Sequence, residues 1–153
     1  NTCCFIGHRT IEETEKLKFQ LNSIIEMLIT QKKVNTFLFG SKSRFNDLCH
    51  ELVSKSMQNY PFIKRVYVRA EYPVIDENYK RYLLKDYEET YYPDKIRGAS
   101  RAVYVERNYE MIRKSKYCVF YFKNEENSKS HKSGTKTALN YAFNQKKEII
   151  ILS

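Results

Sequence analysis

The sequence contains no tryptophan, and it has only four glycines and three prolines among 153 residues. So little Gly and Pro excludes collagen-like repeats and low-complexity disordered chains. Cysteine is also scarce. Cys3, Cys4, Cys49 and Cys118 form no Cys-x-x-Cys pair, so neither a disulfide scaffold nor a zinc site is expected. They read instead as buried or half-buried thiols of a cytoplasmic protein. No apolar run approaches the ~20 residues that span a bilayer, so no membrane partner is expected. The first apolar segment begins at Thr2, which leaves no room for a signal peptide ahead of it. What remains is 42% hydrophobic and 29% charged, the balance of one ordinary domain covering residues 1–153.

Acidic residues are the minority sign. There are 27 Lys and Arg against 18 Asp and Glu, a formal charge of +9. Residues 36–69 carry six bases and two acids, and residues 96–116 and 123–147 carry the same balance. Residues 70–95 reverse it, with seven acids and four bases. A basic chain with one acidic stretch suits an anionic partner, although a solvated surface would look similar.

Five apolar runs read as strands: Cys3–Gly7, Thr36–Gly40, Arg65–Ala70, Tyr117–Phe122 and Glu148–Leu152. All but the third are nearly continuous, as for strands covered on both faces. Helical patterns separate them. Thr10 and Glu13 fit a capping box ahead of Leu17, Leu21, Ile24, Ile25 and Leu28. Phe45, Leu48, Cys49, Leu52 and Val53 make a second stripe. Further helices are expected near 79–89, 105–114 and 135–145. This alternation predicts an α/β fold: a Rossmann-like, open, mainly parallel five-stranded sheet with helices on both faces. The stretches 72–78, 91–101 and 124–133 are long enough for binding loops.

In such sheets ligands sit beyond the carboxyl ends of the strands. The residues that follow each strand are therefore the informative ones. They are Gly7-His8-Arg9, Gly40-Ser41-Lys42-Ser43-Arg44 and Glu71-Tyr72, with Ser133-Gly134-Thr135 before the last helix. Three of these joints combine Gly with hydroxyls or cations and then open a helix. That combination suits phosphate, because helix starts present unpaired N–H groups and Gly admits close approach. Ser43 could equally be a helix cap, and Ser133 likewise. The Gly40 joint is not a Walker A loop, since the second Gly is missing. His8 has no evident carboxylate to orient it as a base. Arg107 and Asn108 begin a helix whose other polar residues could simply be solvated. Tyr91, Tyr92, Tyr104 and Tyr109 could stack a base or pack an interface.

The segments 2–9, 104–112 and 133–135 together resemble the SLOG superfamily, which is related to DprA/Smf and Lonely-guy proteins. More narrowly they resemble its uncharacterised YpsA-like branch, found in bacteria and their mobile elements. The resemblance implies a nucleotide-derived ligand held by Gly7, His8, Arg9, Gly40, Ser41, Asp47, Arg107, Asn108, Gly134 and Thr135. Ser43, Glu71 and Ser133 join them by position. Phosphoribohydrolase relatives carry PGGxGTxxE, whereas Gly134-Thr135 here is followed by Lys136-Thr137-Ala138-Leu139-Asn140, with no acid. An oxocarbenium-like transition state needs a carboxylate close by.

The expectation is therefore a module that binds or senses a small phosphorylated nucleotide-like ligand, without a cofactor or metal. The alternative is a nucleoside or nucleotide glycosidic-bond hydrolase using Asp47 or Glu71. Single-stranded nucleic-acid binding ranks third, because the acidic stretch could interrupt a basic groove. Nucleic acid is thus not the expected partner, and a homodimer is carried as an expectation with the resemblance.

Overall fold

A computed structural model describes residues 1–40, 42–96, 102–124 and 134–153. The chain runs β1 (Thr2–Gly7), α1 (Glu15–Thr30), β2 (Thr36–Phe39), α2 (Arg44–Ser56), β3 (Lys64–Val68) and α3 (Glu77–Leu83). It continues with β4 (Glu89–Tyr91), α4 (Ala102–Lys114), β5 (Tyr117–Tyr121), α5 (Gly134–Asn144) and β6 (Glu148–Leu152). The strands form one sheet in the order β4-β3-β2-β1-β5-β6, and every pairing is parallel. The chain first builds outward from β1 through β4. It then crosses back to place β5 on the other side of β1, so the switch point lies between β1 and β5.

The pleat of β1 explains the two layers. Cys3 and Phe5 point into a core shared with Leu17, Leu21 and Ile25 of α1 and Phe45 and Leu48 of α2. Cys4 and Ile6 point the other way, toward Met111 and Ile112 of α4 and Ala138 and Ala142 of α5. A strand covered on both faces needs no polar alternation, hence the continuous apolar runs. All four cysteines are free and buried, and burial pushes the thiols of Cys3, Cys4 and Cys49 up. Among the described residues no helix is long and apolar enough to cross a membrane.

Three expectations are corrected. The sheet has six strands, not five, because β4 follows the third helix. That helix ends at Leu83 rather than near 89. Glu88 explains the strand. Its carboxylate takes the Arg65 N–H at 2.8 Å and the Arg65 guanidinium at 3.0 and 2.7 Å, and its own N–H donates to the Arg65 carbonyl at 2.9 Å. A segment pinned to β3 in this way extends the ladder instead of the helix.

The capping box at Thr10 does not form. Thr14 caps α1, accepting from Leu17 N–H at 3.1 Å. Glu13 instead accepts two bonds from the Arg44 guanidinium, both at 2.6 Å. Two charge-assisted bonds outweigh one to a neutral amide. Finally, β3 ends at Val68, so Arg69 and Ala70 lie past the strand rather than within it.

Candidate functional site

At the carboxyl rim, around the switch point, lies a cavity of about 620 Å³. Gly7, His8 and Arg9 line it from the end of β1, and Gly40, Lys42 and Ser43 from the end of β2. Glu71, Arg107, Asn108, Gly134 and Thr135 complete the predicted set that meets there. Asp47 does not line it. It sits exposed on α2, one position past the buried face that carries Phe45 and Asn46. Ser41 and Ser133 lie outside the described residues, as do residues 97–101 of the 91–101 stretch and 125–133 of the 124–133 stretch.

Two glycines are demanded by close packing. A Cβ on Gly7 would stand 2.4 Å from Cδ2 of Phe45. A Cβ on Gly40 would stand 2.6 Å from Cδ of Arg107 and 2.9 Å from Sδ of Met111. Gly134 has open space around it, so sterics do not require glycine there. Ser43 caps α2 by accepting from Asn46 N–H at 3.0 Å. Asn46 is buried and its Oδ1 accepts the Gly40 N–H at 3.2 Å, which fixes the turn. The backbone N–H of Arg44 donates to the Arg9 carbonyl at 2.9 Å and ties the first two joints together.

His8 is held at the seam between β1 and β5. Its Nε2 accepts the Lys123 N–H at 3.0 Å, and its ring leans on Phe122 at 5.4 Å. Arg107 is buried, at 5% exposure. Its Nη1 donates to the Gly40 carbonyl, and its Nε to Asn108 Oδ1 at 3.1 Å. The Tyr104 ring lies 5.8 Å from its Cζ. Among the described residues no carboxylate forms an ion pair with it, and burial pushes the guanidinium below its ordinary value. Glu71, the one lining carboxylate among the described residues, accepts from the Tyr104 hydroxyl.

Sequence reasoning did not reach Tyr67, Arg69 and Tyr79. Arg69 donates to the Tyr72 carbonyl at 3.2 Å and to Thr90 Oγ1 at 3.0 Å, and burial lowers its pKa. Tyr67 stands near both arginines. Burial pushes its phenol up, while Arg107 and Arg69 pull it partly back. A strand boundary set two residues earlier would have exposed Arg69 as a rim residue. Of the four tyrosines considered as base stackers, only Tyr104 lines the cavity. Tyr91 donates to the buried Glu110 at 3.0 Å, and Tyr109 stacks on Tyr141 at 4.0 Å.

Among the described residues the lining thus offers Arg9, Lys42, Arg69 and Arg107 against one carboxylate, with tyrosine rings beside them. Such a cavity can take an anion and an aromatic plane together. Among the described residues no group of three His, Cys, Asp or Glu side chains could hold a metal ion.

No family model and no curated protein sequence matches the chain. A solved structure does. It is DNA processing protein A from Helicobacter pylori, 13% identical, with a TM-score of 0.64 over 99% of this chain. The chain spans 65% of the length of that protein, whose structure was described for its single-stranded DNA binding mode. At this identity the likeness establishes the fold, a Rossmann-like α/β sheet. It also corrects one expectation: nucleic acid had been set aside as a partner, yet a protein of this fold binds single-stranded DNA. Formal charge along the sequence was a poor guide. Residues 70–95 are acidic in sum, but the parts of them that reach the cavity include Tyr72 and Tyr79 as well as Glu71.

Proposed function

We propose that the cavity and its rim bind single-stranded nucleic acid, with one phosphorylated nucleotide unit seated against Arg107. The observation that carries this reading is the buried Arg107, a cation facing the cavity without a carboxylate partner among the described residues. Burying a guanidinium with no direct ion pair is costly, Glu71 acting on it only from across the lining, and a phosphate arriving there supplies a direct counter-charge. The shared fold with a single-stranded DNA-binding protein supports it. In the same reading the chain belongs with the SLOG proteins, and the Gly7-His8-Arg9 and Glu106-Arg107-Asn108 segments support its YpsA-like branch.

A second reading, binding of a free phosphorylated nucleotide, is favoured by the cavity volume, which lies within the usual range for small-molecule sites. Glycosidic cleavage is less favoured, since Asp47 is outside the cavity and Glu71 is engaged by Tyr104.

Fluorescence anisotropy with a twelve-residue oligothymidylate tests the main reading. Three or four phosphate contacts predict an affinity loss of about 20- to 50-fold between 50 and 200 mM salt. Absence of binding at micromolar protein in 50 mM salt rejects it. Thymidine monophosphate that binds while the oligonucleotide does not would establish the second reading instead.

A further inference from the structure

Tyr72 holds its backbone at φ 60°, in the left-handed region that a bulky residue rarely adopts. Strain of this kind persists only where the surroundings impose it. Here Arg69 donates to the Tyr72 carbonyl at 3.2 Å while anchored to Thr90 Oγ1 on β4 at 3.0 Å, which tethers this turn to the sheet. The result is a ring at the cavity edge that stays 59% exposed. It does not stand alone. Tyr72 meets Tyr79 edge to face at 6.1 Å, and Tyr79 lies nearly parallel to Tyr82, at 6.2 Å and 17°. Tyr82 is 62% exposed. The three rings therefore run from the cavity outward along α3.

We propose that Tyr72, Tyr79 and Tyr82 form a stacking track for the bases of a single strand as it leaves the cavity. This rests on the nucleic-acid reading above and adds where the strand goes. Aromatic faces accept any base, and tyrosine ordered in advance costs little to engage. Asp76 spends its carboxylate on capping α3, accepting from Tyr79 N–H at 2.7 Å. Lys80 and Lys85 are exposed on the same helix and just past it, within reach of a strand's phosphates, whereas the exposed Arg81 donates to the Glu77 carbonyl and to Asn78 Oδ1. Most of the contribution comes from stacking, so a net basic groove is not needed here.

The chain has no tryptophan, so Tyr82→Trp creates a single reporter. Its fluorescence should be quenched by the twelve-residue oligothymidylate and left unchanged by thymidine monophosphate. Tyr82→Ala should weaken the oligonucleotide about tenfold and leave the mononucleotide unaffected. Tyr82 is exposed, so neither variant disturbs the core, and circular dichroism checks this. If the wild type binds the oligonucleotide but Tyr82→Ala binds it equally and the Trp reporter stays bright, the track is wrong and the cavity reading stands. If the wild type binds no oligonucleotide, both fall. If Tyr82→Ala instead turns a dimer into a monomer in sedimentation, the face belongs to a second copy of the chain and the track is overturned.

Discussion

Arg107 lies directly over Gly40. Its Nη1 donates to the Gly40 carbonyl, and its Cδ is where a Gly40 Cβ would need to be, 2.6 Å away. Gly40 has no positive φ, so the requirement for glycine is one of space and not of backbone conformation. Gly40→Ala should therefore displace the Arg107 side chain. We expect a stability loss of about 1–3 kcal/mol from overpacking, with weaker oligonucleotide binding. The check is a double-mutant cycle by denaturant unfolding. In an Arg107→Ala background the Gly40→Ala cost should shrink, because two of the three nearest clashing atoms are gone and only Sδ of Met111 at 2.9 Å remains.

Arg107→Met separates stability from binding. Met keeps much of the volume and removes a buried charge that has no carboxylate partner among the described residues. Its stability should stay within about 1 kcal/mol of the wild type or rise, since a buried cation without a direct ion pair recovers little of its desolvation cost. Binding of a phosphate-bearing ligand should fall about 10- to 100-fold, the range of a lost charged hydrogen bond. A variant that unfolds while the residual folded fraction binds normally would make Arg107 a structural residue instead.

Two kinds of feature were legible in the sequence. The central strands were readable because double-sided burial leaves nearly continuous apolar runs such as Tyr117–Tyr121. The rim glycines were readable because parallel sheets gather their strand ends. What was not readable depended on distant partners. β4 has no apolar run and exists through the Arg65–Glu88 pairing, 23 residues apart. Glu13 looked like a cap but pairs with Arg44 across 31 residues. Glu110 looked like part of a solvated helix face and is buried, because α4 packs against both β1 and α5. Single-sequence periodicity cannot distinguish a charge facing water from one facing a cavity.

The Arg65–Glu88 pair gives a pH dependence with a definite sign. Partial burial alone would raise the Glu88 carboxyl. The Arg65 side-chain and backbone hydrogen bonds outweigh it and hold the carboxyl below its ordinary value of 4.5. A depressed native pKa means that the ionised form is the one stabilised by folding. The contribution is complete above the ordinary value and disappears as pH falls through the native one. Glu88→Gln should therefore cost about 1 kcal/mol or less at pH 7, given that the pair is partly in solvent. The gap between variant and wild type in denaturant unfolding should close as pH falls below 4.5. A gap that widens in acid would contradict the assignment.

His8 bears on whether the site does chemistry. Its Nε2 is an acceptor, fixed by the Lys123 N–H at 3.0 Å, so the ring is the neutral tautomer with hydrogen on Nδ1. A nitrogen that already holds a backbone amide is not free to take a proton from a substrate. His8 is thus a fastener across the β1–β5 seam, where its own N–H also reaches the Tyr121 carbonyl at 3.3 Å. Nitrogen-detected NMR of the labelled protein at neutral pH should show the Nδ1-protonated form. His8→Ala should cost about 1–3 kcal/mol by stranding the Lys123 amide. His8→Gln, which keeps an acceptor oxygen, should recover much of that and bind the oligonucleotide as the wild type does. An Nε2-protonated ring would remove the fastener role and bring acid–base chemistry at His8 back into consideration.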